Sequence, residues 1–303
     1  MSGKVLILGG SGRFGRNAAE AFWNAGWQVR LFDRSRDDLK AAARGMDVIV
    51  NGWNPVYTEW ASTVPRLTAE VISAAKVSGA TVILPGNVYV YGRTAPEALT
   101  ESTPHHAENP LGKIRVEMEA AYRASGVETI ILRGGDFIDT EASGNWFDEV
   151  IVAKLDKGIV TLPGPADRVH AWAYLPDFAR AVVALAEKRE VLDTFTDVGF
   201  PGYAMTLGEV AATLENATGR PIKQRRFPWW LLVPALPFWK MGRALFEMRY
   251  LWSMPHRIDG TQFDRLLPEF RATDPLTALA RAVQHKVHPD NAVPGGLAHI
   301  AAE

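Results

Sequence analysis

LILGGSGRFGR, residues 6–16, decides how the rest of the chain is read. It spaces Gly9, Gly12 and Gly15 three apart, directly after the apolar run Val5–Leu8 and directly before a segment of helical periodicity. A strand that turns this tightly into a helix needs residues without a Cβ wherever backbone must approach closely. The N-terminus of the helix that follows, with unpaired N–H groups and the positive end of its dipole, then forms a seat for a pyrophosphate. Asp33 stands at the end of the next strand-like run, Gln28–Phe32, where a carboxylate can bind ribose hydroxyls. Strand, glycine turn, helix, strand and acid predict a dinucleotide-binding unit.

The same alternation continues. Asp37–Arg44 reads as a short helix, Asp47–Val50 as a strand, Thr58–Ser78 as a long helix stopped by Gly79, and Thr81–Leu84 as a strand. A proline-marked loop leads to a helix over 111–125 ended by Gly126, then to the strand Thr129–Leu132. Strands separated by helices mean an α/β fold, a Rossmann-type doubly wound parallel sheet with right-handed crossovers. From about residue 136 the pattern loosens into Trp- and Pro-rich segments between helices such as Thr206–Ala217. The expected division is a nucleotide-binding core over 1–135, a mixed region over 136–286 that is mainly a smaller C-terminal substrate lobe with some return segments to the core, and a poorly ordered tail over 287–303.

Composition narrows the function. The 33 basic and 34 acidic residues cancel to a net charge of −1, so neither a nucleic-acid partner nor another polyanion is indicated. With no cysteine, disulfides, thiolate catalysis and Cys-based metal sites are excluded. His105 and His106 have no further ligand at metal spacing, so no metal site is expected. The opening MSGKVLILGG is too short in its apolar run for a signal peptide, and the stretch 227–239 is too short and too broken by Pro234 and Pro237 to span a bilayer. A cytoplasmic protein acting on a small molecule is the expectation. Arg225 and Arg226 beside Phe227–Trp230 also allow contact with a membrane surface or another protein, against the simpler reading of these aromatics as lobe core.

The spacing of Gly9, Gly12 and Gly15 resembles that of the extended short-chain dehydrogenases/reductases, the family of NAD-dependent nucleotide-sugar epimerases and dehydratases. DVIVNGWNP (47–55) looks like the family's strand and loop beneath the nicotinamide ribose, VILPGNVYVYG (82–92) like its strand ending in a Tyr-Gly pair, and TIILRGGDF (129–137) like the strand and loop after the catalytic helix. HAWAYLPDFARAVVALAE (170–187) resembles a later segment in which an Asp, here Asp177, starts a helix. The resemblance implies NAD(P) binding by Gly9, Gly12, Arg13, Phe14, Gly15, Asp33, Arg34, Asn51, Gly52, Trp53 and Arg115. Asp33 matches the family's NAD-type acid, while Arg34 falls where NADP-using relatives place a phosphate-binding Arg. Only a short helix fits between Asp33 and Asp47, so the family's usual next strand is expected to be missing and the sheet to be one edge strand short. Many relatives pair through the helix at 111–125, which allows a homodimer.

The resemblance breaks at the catalytic centre. The family's Ser or Thr, Tyr and Lys fall on Asn87, Leu111 and Arg115. Leu has no proton to give and Arg does not deprotonate, so acid–base catalysis of the usual kind is lost. Asn87, Arg115 and Tyr89 are the remaining catalytic candidates, with Arg115 alternatively a surface ion pair with Glu119. Asn87, Asp136, Trp146, His170 and Trp172 are candidates for the substrate side. An aromatic, weakly charged lobe suits a flat apolar acceptor better than a diphosphate. Two readings stay open: an NAD(P)-dependent oxidoreductase delivering hydride to an acceptor that needs no Tyr-driven proton transfer, or a catalytically inactive NAD(P)-binding scaffold or redox-sensing regulator.

Overall fold

The computed structural model describes residues 3–287, so the tail expected from 287 onward falls outside the described residues beyond Val287 itself. The elements begin β1 (Lys4–Leu8), α1 (Arg13–Asn24), β2 (Gln28–Leu31), α2 (Leu39–Ala43), β3 (Val48–Asn51), α3 (Trp60–Ser78), β4 (Thr81–Gly86), β5 (Ala98–Leu99) and α4 (Pro110–Ser125). They continue with β6 (Thr129–Arg133), β7 (Asp136–Ile138), β8 (Ile159–Leu162), β9 (Val169–Tyr174), α5 (Leu175–Glu187), β10 (Phe195–Gly199), β11 (Tyr203–Thr206), α6 (Leu207–Thr218), β12 (Lys223–Arg226) and α7 (Lys240–Met248). The main sheet has six parallel strands in the order β10-β6-β4-β3-β1-β2.

Why these strands read as unbroken apolar runs follows from their position. Val5 and Ile7 face α1 and α5, packing with Phe14, Phe22, Phe178 and Val182. Leu6 and Leu8 face the other layer, packing with Val64 and Val71 of α3 and Tyr122 of α4. Both faces of the sheet are covered, so no polar alternation is left. Asp38 caps α2 through the Ala41 amide, and α2 returns the chain directly to β3. The strand expected to be missing is indeed absent among the described residues: β2 is the sheet's edge. β1 lies between β2 and β3, so the chain moves to one side of it through α1 and crosses to the other side through α2. Ligands of open α/β sheets bind at such a switch point, beyond the carboxyl ends of the strands.

Two boundaries differ from the sequence expectation in ways that matter for the site. The first helix starts at Arg13, inside the glycine-rich stretch, because Gly12 itself is its N-cap, whereas the apolar periodicity alone places a helix over Asn17–Ala25. The long helix starts at Trp60 rather than Thr58, after a 3₁₀ turn over Tyr57–Glu59. The second lobe holds a three-stranded sheet, β11-β9-β7, and a two-stranded one, β12-β8, over a core of Phe147, Trp172, Tyr174, Leu214 and Trp252. Joining lobe to core, β10 pairs in parallel with β6.

At the end of β6, Arg133 is 1% exposed and ties three elements together. Its guanidinium donates to both Glu119 oxygens of α4 at 3.1 and 2.9 Å, to the Asn87 carbonyl at 2.7 Å, and to Asp197 of β10. Two carboxylates around one cation hold its proton even more firmly than usual, despite burial.

Candidate nucleotide and substrate cleft

A cleft of about 1110 Å³ opens at the switch point, floored by the glycine turn and walled by the loops after β3, β4 and β6. The turn is built so tightly that only glycine fits. A Cβ on Gly15 would stand 2.1 Å from the Gly9 carbonyl oxygen, and one on Gly52 would stand 2.7 Å from that of Leu8. Gly9 has φ +75°, the left-handed region that glycine takes without strain. Gly12 is different: a Cβ there meets only the Gly9 oxygen, at 3.2 Å. No side chain caps α1 and no acid sits in its first turn, which leaves the positive end of the helix open to an anion. These residues fit a dinucleotide's pyrophosphate.

At one end of the cleft, the Arg34 guanidinium lies 4.5 Å from the centre of the Trp53 ring, and Trp53 meets Phe32 edge-on at 5.7 Å. Asp33 stands beside this platform rather than on the cleft wall. Its carboxylate accepts from the Ser35 amide and hydroxyl at 2.8 and 2.7 Å and pairs with Arg36 at 3.5 Å. The Ser35 hydrogen bonds hold its carboxyl below the usual carboxylate range. Arg13 lines the cleft while donating to the Gly144 carbonyl at 2.8 Å. Phe14 contributes its backbone, since its ring packs edge-on against Phe178 in the core. Asn51 directs its amide away, donating to the Tyr122 hydroxyl at 3.1 Å and accepting from the Trp53 amide at 3.2 Å, so it shapes the loop.

Deeper in the cleft, the expected catalytic positions separate. Leu111 is buried in the core, its amide donating to Glu247 at 2.8 Å. Arg115 faces the cleft: its guanidinium sits 4.4 Å over the Trp60 ring, donates to Asn54 at 3.0 Å, and keeps a buried Nε without a partner. The alternative pairing of Arg115 with Glu119 is not formed, because Arg133 takes both Glu119 oxygens. Asn87 caps the turn after β4 by accepting from the Tyr89 amide at 3.0 Å, leaving its NH₂ as the group to offer a ligand. The close approach of α4 to that turn depends on Gly112, where a Cβ would stand 2.8 Å from the Tyr89 carbonyl oxygen.

Tyr89 is joined by a residue that the sequence reading missed. Its hydroxyl lies 2.7 Å from that of Tyr57, and both rings sit against Trp60 on the cleft wall. Burial pushes both phenols above their ordinary range, Tyr89 most strongly, and nearby Asp136 adds to the rise while Arg115 opposes it. Tyr57 lies only two residues beyond Pro55, in the loop that leaves β3 at the switch point, and that position was the available signal.

The substrate-side candidates divide in two. Asp136 and Trp146 line the cleft. His170 lies behind Asp136, 2.6 Å from its carboxylate, stacked at 4.3 Å on Trp252 and only 3% exposed. Trp172 is not a cleft residue at all. It is 1% exposed and donates to the Met205 carbonyl at 3.0 Å, because β9 turns alternate residues into the lobe core.

Solved structures with this architecture include MoeE5 in complex with UDP-glucose and NAD, with a TM-score of 0.72 and 17% identity over 95% of this chain and 100% of that one. UDP-N-acetylglucosamine 4-epimerase from Bacillus cereus gives 0.73 and 16% over the same shares. L-threonine dehydrogenase from Phytophthora infestans gives 0.71 and 18%, over 95% and 99%. The chain has the fold of the extended short-chain dehydrogenases/reductases. No protein-family model matches the sequence, and no curated protein matches it either. Among the described residues no helix is long and apolar enough to cross a membrane.

Proposed function

We propose that the protein is an NAD(P)-dependent oxidoreductase that reduces a small apolar or aromatic acceptor, such as a quinone or conjugated enone, without the family's Tyr/Lys pair. The observation that carries this reading is the Tyr57–Tyr89 hydroxyl pair beside Arg115, on the same cleft as the glycine turn. The pyrophosphate would rest on Gly12 and the start of α1. Arg34 on its Trp53 platform is the group that would meet a 2′-phosphate, and with Asp33 occupied by Ser35 this favours NADPH. When bound, the reduced cofactor supplies a hydride to an electrophilic carbon of the acceptor and leaves oxidised.

The chain's own residues then deal with the negative charge developing on the acceptor oxygen. Tyr89 donates to Tyr57, which frees the Tyr57 O–H to donate to that oxygen. Because burial keeps both phenols protonated, they act as hydrogen-bond donors and not as bases. Arg115 adds positive charge in a site shielded by Trp60. The oxygen takes its proton from solvent as product leaves. Other arginines on the wall are already engaged, Arg16 with Asp139 and Glu141 at 3.0 and 3.1 Å, so a second diphosphate finds little to bind near the lobe. Met118, Trp146, Met241 and Leu245 offer instead an apolar lining.

With a naphthoquinone as acceptor and NADPH as donor, Tyr57→Phe is expected to lower kcat by about 100-fold and leave the cofactor Kd unchanged, since it removes one donor to the developing charge. Steady-state NADPH oxidation paired with calorimetric titration reads both quantities. An equal kcat in the variant would remove Tyr57 from the mechanism. The non-catalytic alternative, a redox-sensing scaffold, has one observation in its favour: no lysine lines the cleft among the described residues. Tight cofactor binding without oxidation by quinones, enones or iminium ions would select it.

A further inference from the structure

The segment Trp229–Trp239 is eleven residues without a charge, and none of them is buried. Trp230 is 72% and Phe238 92% exposed, with Leu231 and Val233 more than half or half exposed beside them. Contiguous large apolar side chains in water are costly, about 25 cal/mol per Å² left uncovered, and on a folded chain they mark a surface that something else covers. The residues around them identify what. From Arg220 through Tyr250 there are seven Lys or Arg and one acid, in a protein whose net charge is −1. That acid, Glu247, is turned inward onto Asn109 and the Leu111 amide. Two of the cations are held against the apolar segment and others flank it. Arg243 donates to the Leu236 and Pro237 carbonyls at 2.9 and 3.0 Å, Arg249 lies 5.7 Å from the Trp229 ring, and Lys223, Arg225 and Arg226 project from the exposed strand β12 that leads into it.

We infer that this apolar, Trp-bearing rim with its collar of cations is a docking surface for an anionic lipid membrane. Aromatic and aliphatic side chains enter the headgroup boundary while arginines and lysines meet the lipid phosphates. A second copy of the chain is disfavoured, because a two-fold contact would set the cationic collar against itself. Directly after the segment, α7 supplies Met241 and Leu245 to the cleft wall, so docking places the cleft mouth at the bilayer, where a lipid-soluble acceptor resides. The docking itself does not rest on the proposed chemistry.

The test is co-sedimentation of the full chain with vesicles of phosphatidylcholine, with and without phosphatidylglycerol. Binding is expected only when phosphatidylglycerol is present and is expected to weaken with added salt. Trp230→Ser with Phe238→Ser, and separately Arg225→Glu with Arg226→Glu, should each weaken it by about 10-fold or more, taking about fivefold per lost basic contact. All four positions are exposed, and unchanged thermal unfolding of the variants shows that they fold. Absence of co-sedimentation, equal binding to neutral vesicles, or a dimer in sedimentation velocity that the serine variant dissolves would each overturn the inference.

Discussion

Replacing Gly12 with Asp is expected to raise the Kd for NADPH or NADH by about 100-fold or more while the protein stays folded. The two halves of this result come from the geometry of one position. Gly12 has φ −80° and ψ 161°, an extended conformation that any residue adopts, and a Cβ there meets only the Gly9 oxygen at 3.2 Å. An aspartate is also among the best N-cap residues, so α1 should be as stable as before. Its carboxylate, however, would lie where the pyrophosphate charge must rest. Two unit charges about 4 Å apart repel by ~4 kcal/mol at an effective dielectric of 20. After screening, ~3 kcal/mol remains, which is about 100-fold in Kd. Gly15→Ala is the contrasting variant: its Cβ would stand 2.1 Å from the Gly9 oxygen, so the turn itself must deform and stability falls with binding. Calorimetric titration and thermal unfolding of both variants separate the effects. A Gly12→Asp protein that binds cofactor normally would mean that the glycine turn is not the seat.

The second large effect is structural. Arg133→Met should destabilise the protein by about 3–5 kcal/mol and lower Tm on the order of 10 °C. Glu119 is 3% exposed and Asp197 has lost most of its solvent, and both face the Arg133 guanidinium. Methionine fills a similar volume, so packing is largely kept. What remains is two buried carboxylates within reach of each other and no cation. His105 lies 3.7 Å from Glu119 and is shifted toward its neutral form by burial, and Tyr91 beside the network is likewise held neutral by burial. The loss should therefore shrink with acid, as His105, kept neutral by burial at higher pH, gains a proton and returns a cation to Glu119. Thermal unfolding of both proteins near neutral and mildly acidic pH measures this. A deficit that does not narrow at the lower pH would show that the ion network is not its source.

The sequence made the core legible because several local signals agreed. Glycine spacing, the apolar runs of β1, β3, β4 and β6, and stop glycines at 79 and 126 all require the same layered arrangement, and even the short gap between Asp33 and Asp47 correctly implied the missing edge strand. The site was legible only where the backbone defines it. Gly9 and Gly15 act through backbone approach, which spacing can show, Gly12 through its place at the start of α1, and Gly52, which the resemblance implied, through its approach to Leu8. Trp172 and His170, expected on the substrate side, lie off the cleft because the direction a strand gives each side chain is not readable to one residue, whereas Asn51 does line the cleft with its amide turned to Tyr122. Tyr57 was missed because its importance lies in a hydroxyl 32 positions away in sequence and 2.7 Å away in space. The exposed rim at 229–239 was favoured as lobe core, a natural reading of so apolar a stretch. Trp252 and Trp172 do fill that role, whereas Trp230 and Phe238 face solvent.

The measurement that bears most directly on this account is calorimetric titration of the purified protein with NADPH and with NADH. Saturable binding of one molecule per chain, with NADPH the tighter of the two, is the predicted result and would establish the cleft at the switch point as a working cofactor site. No heat from either nucleotide up to millimolar concentration would contradict the account at its centre.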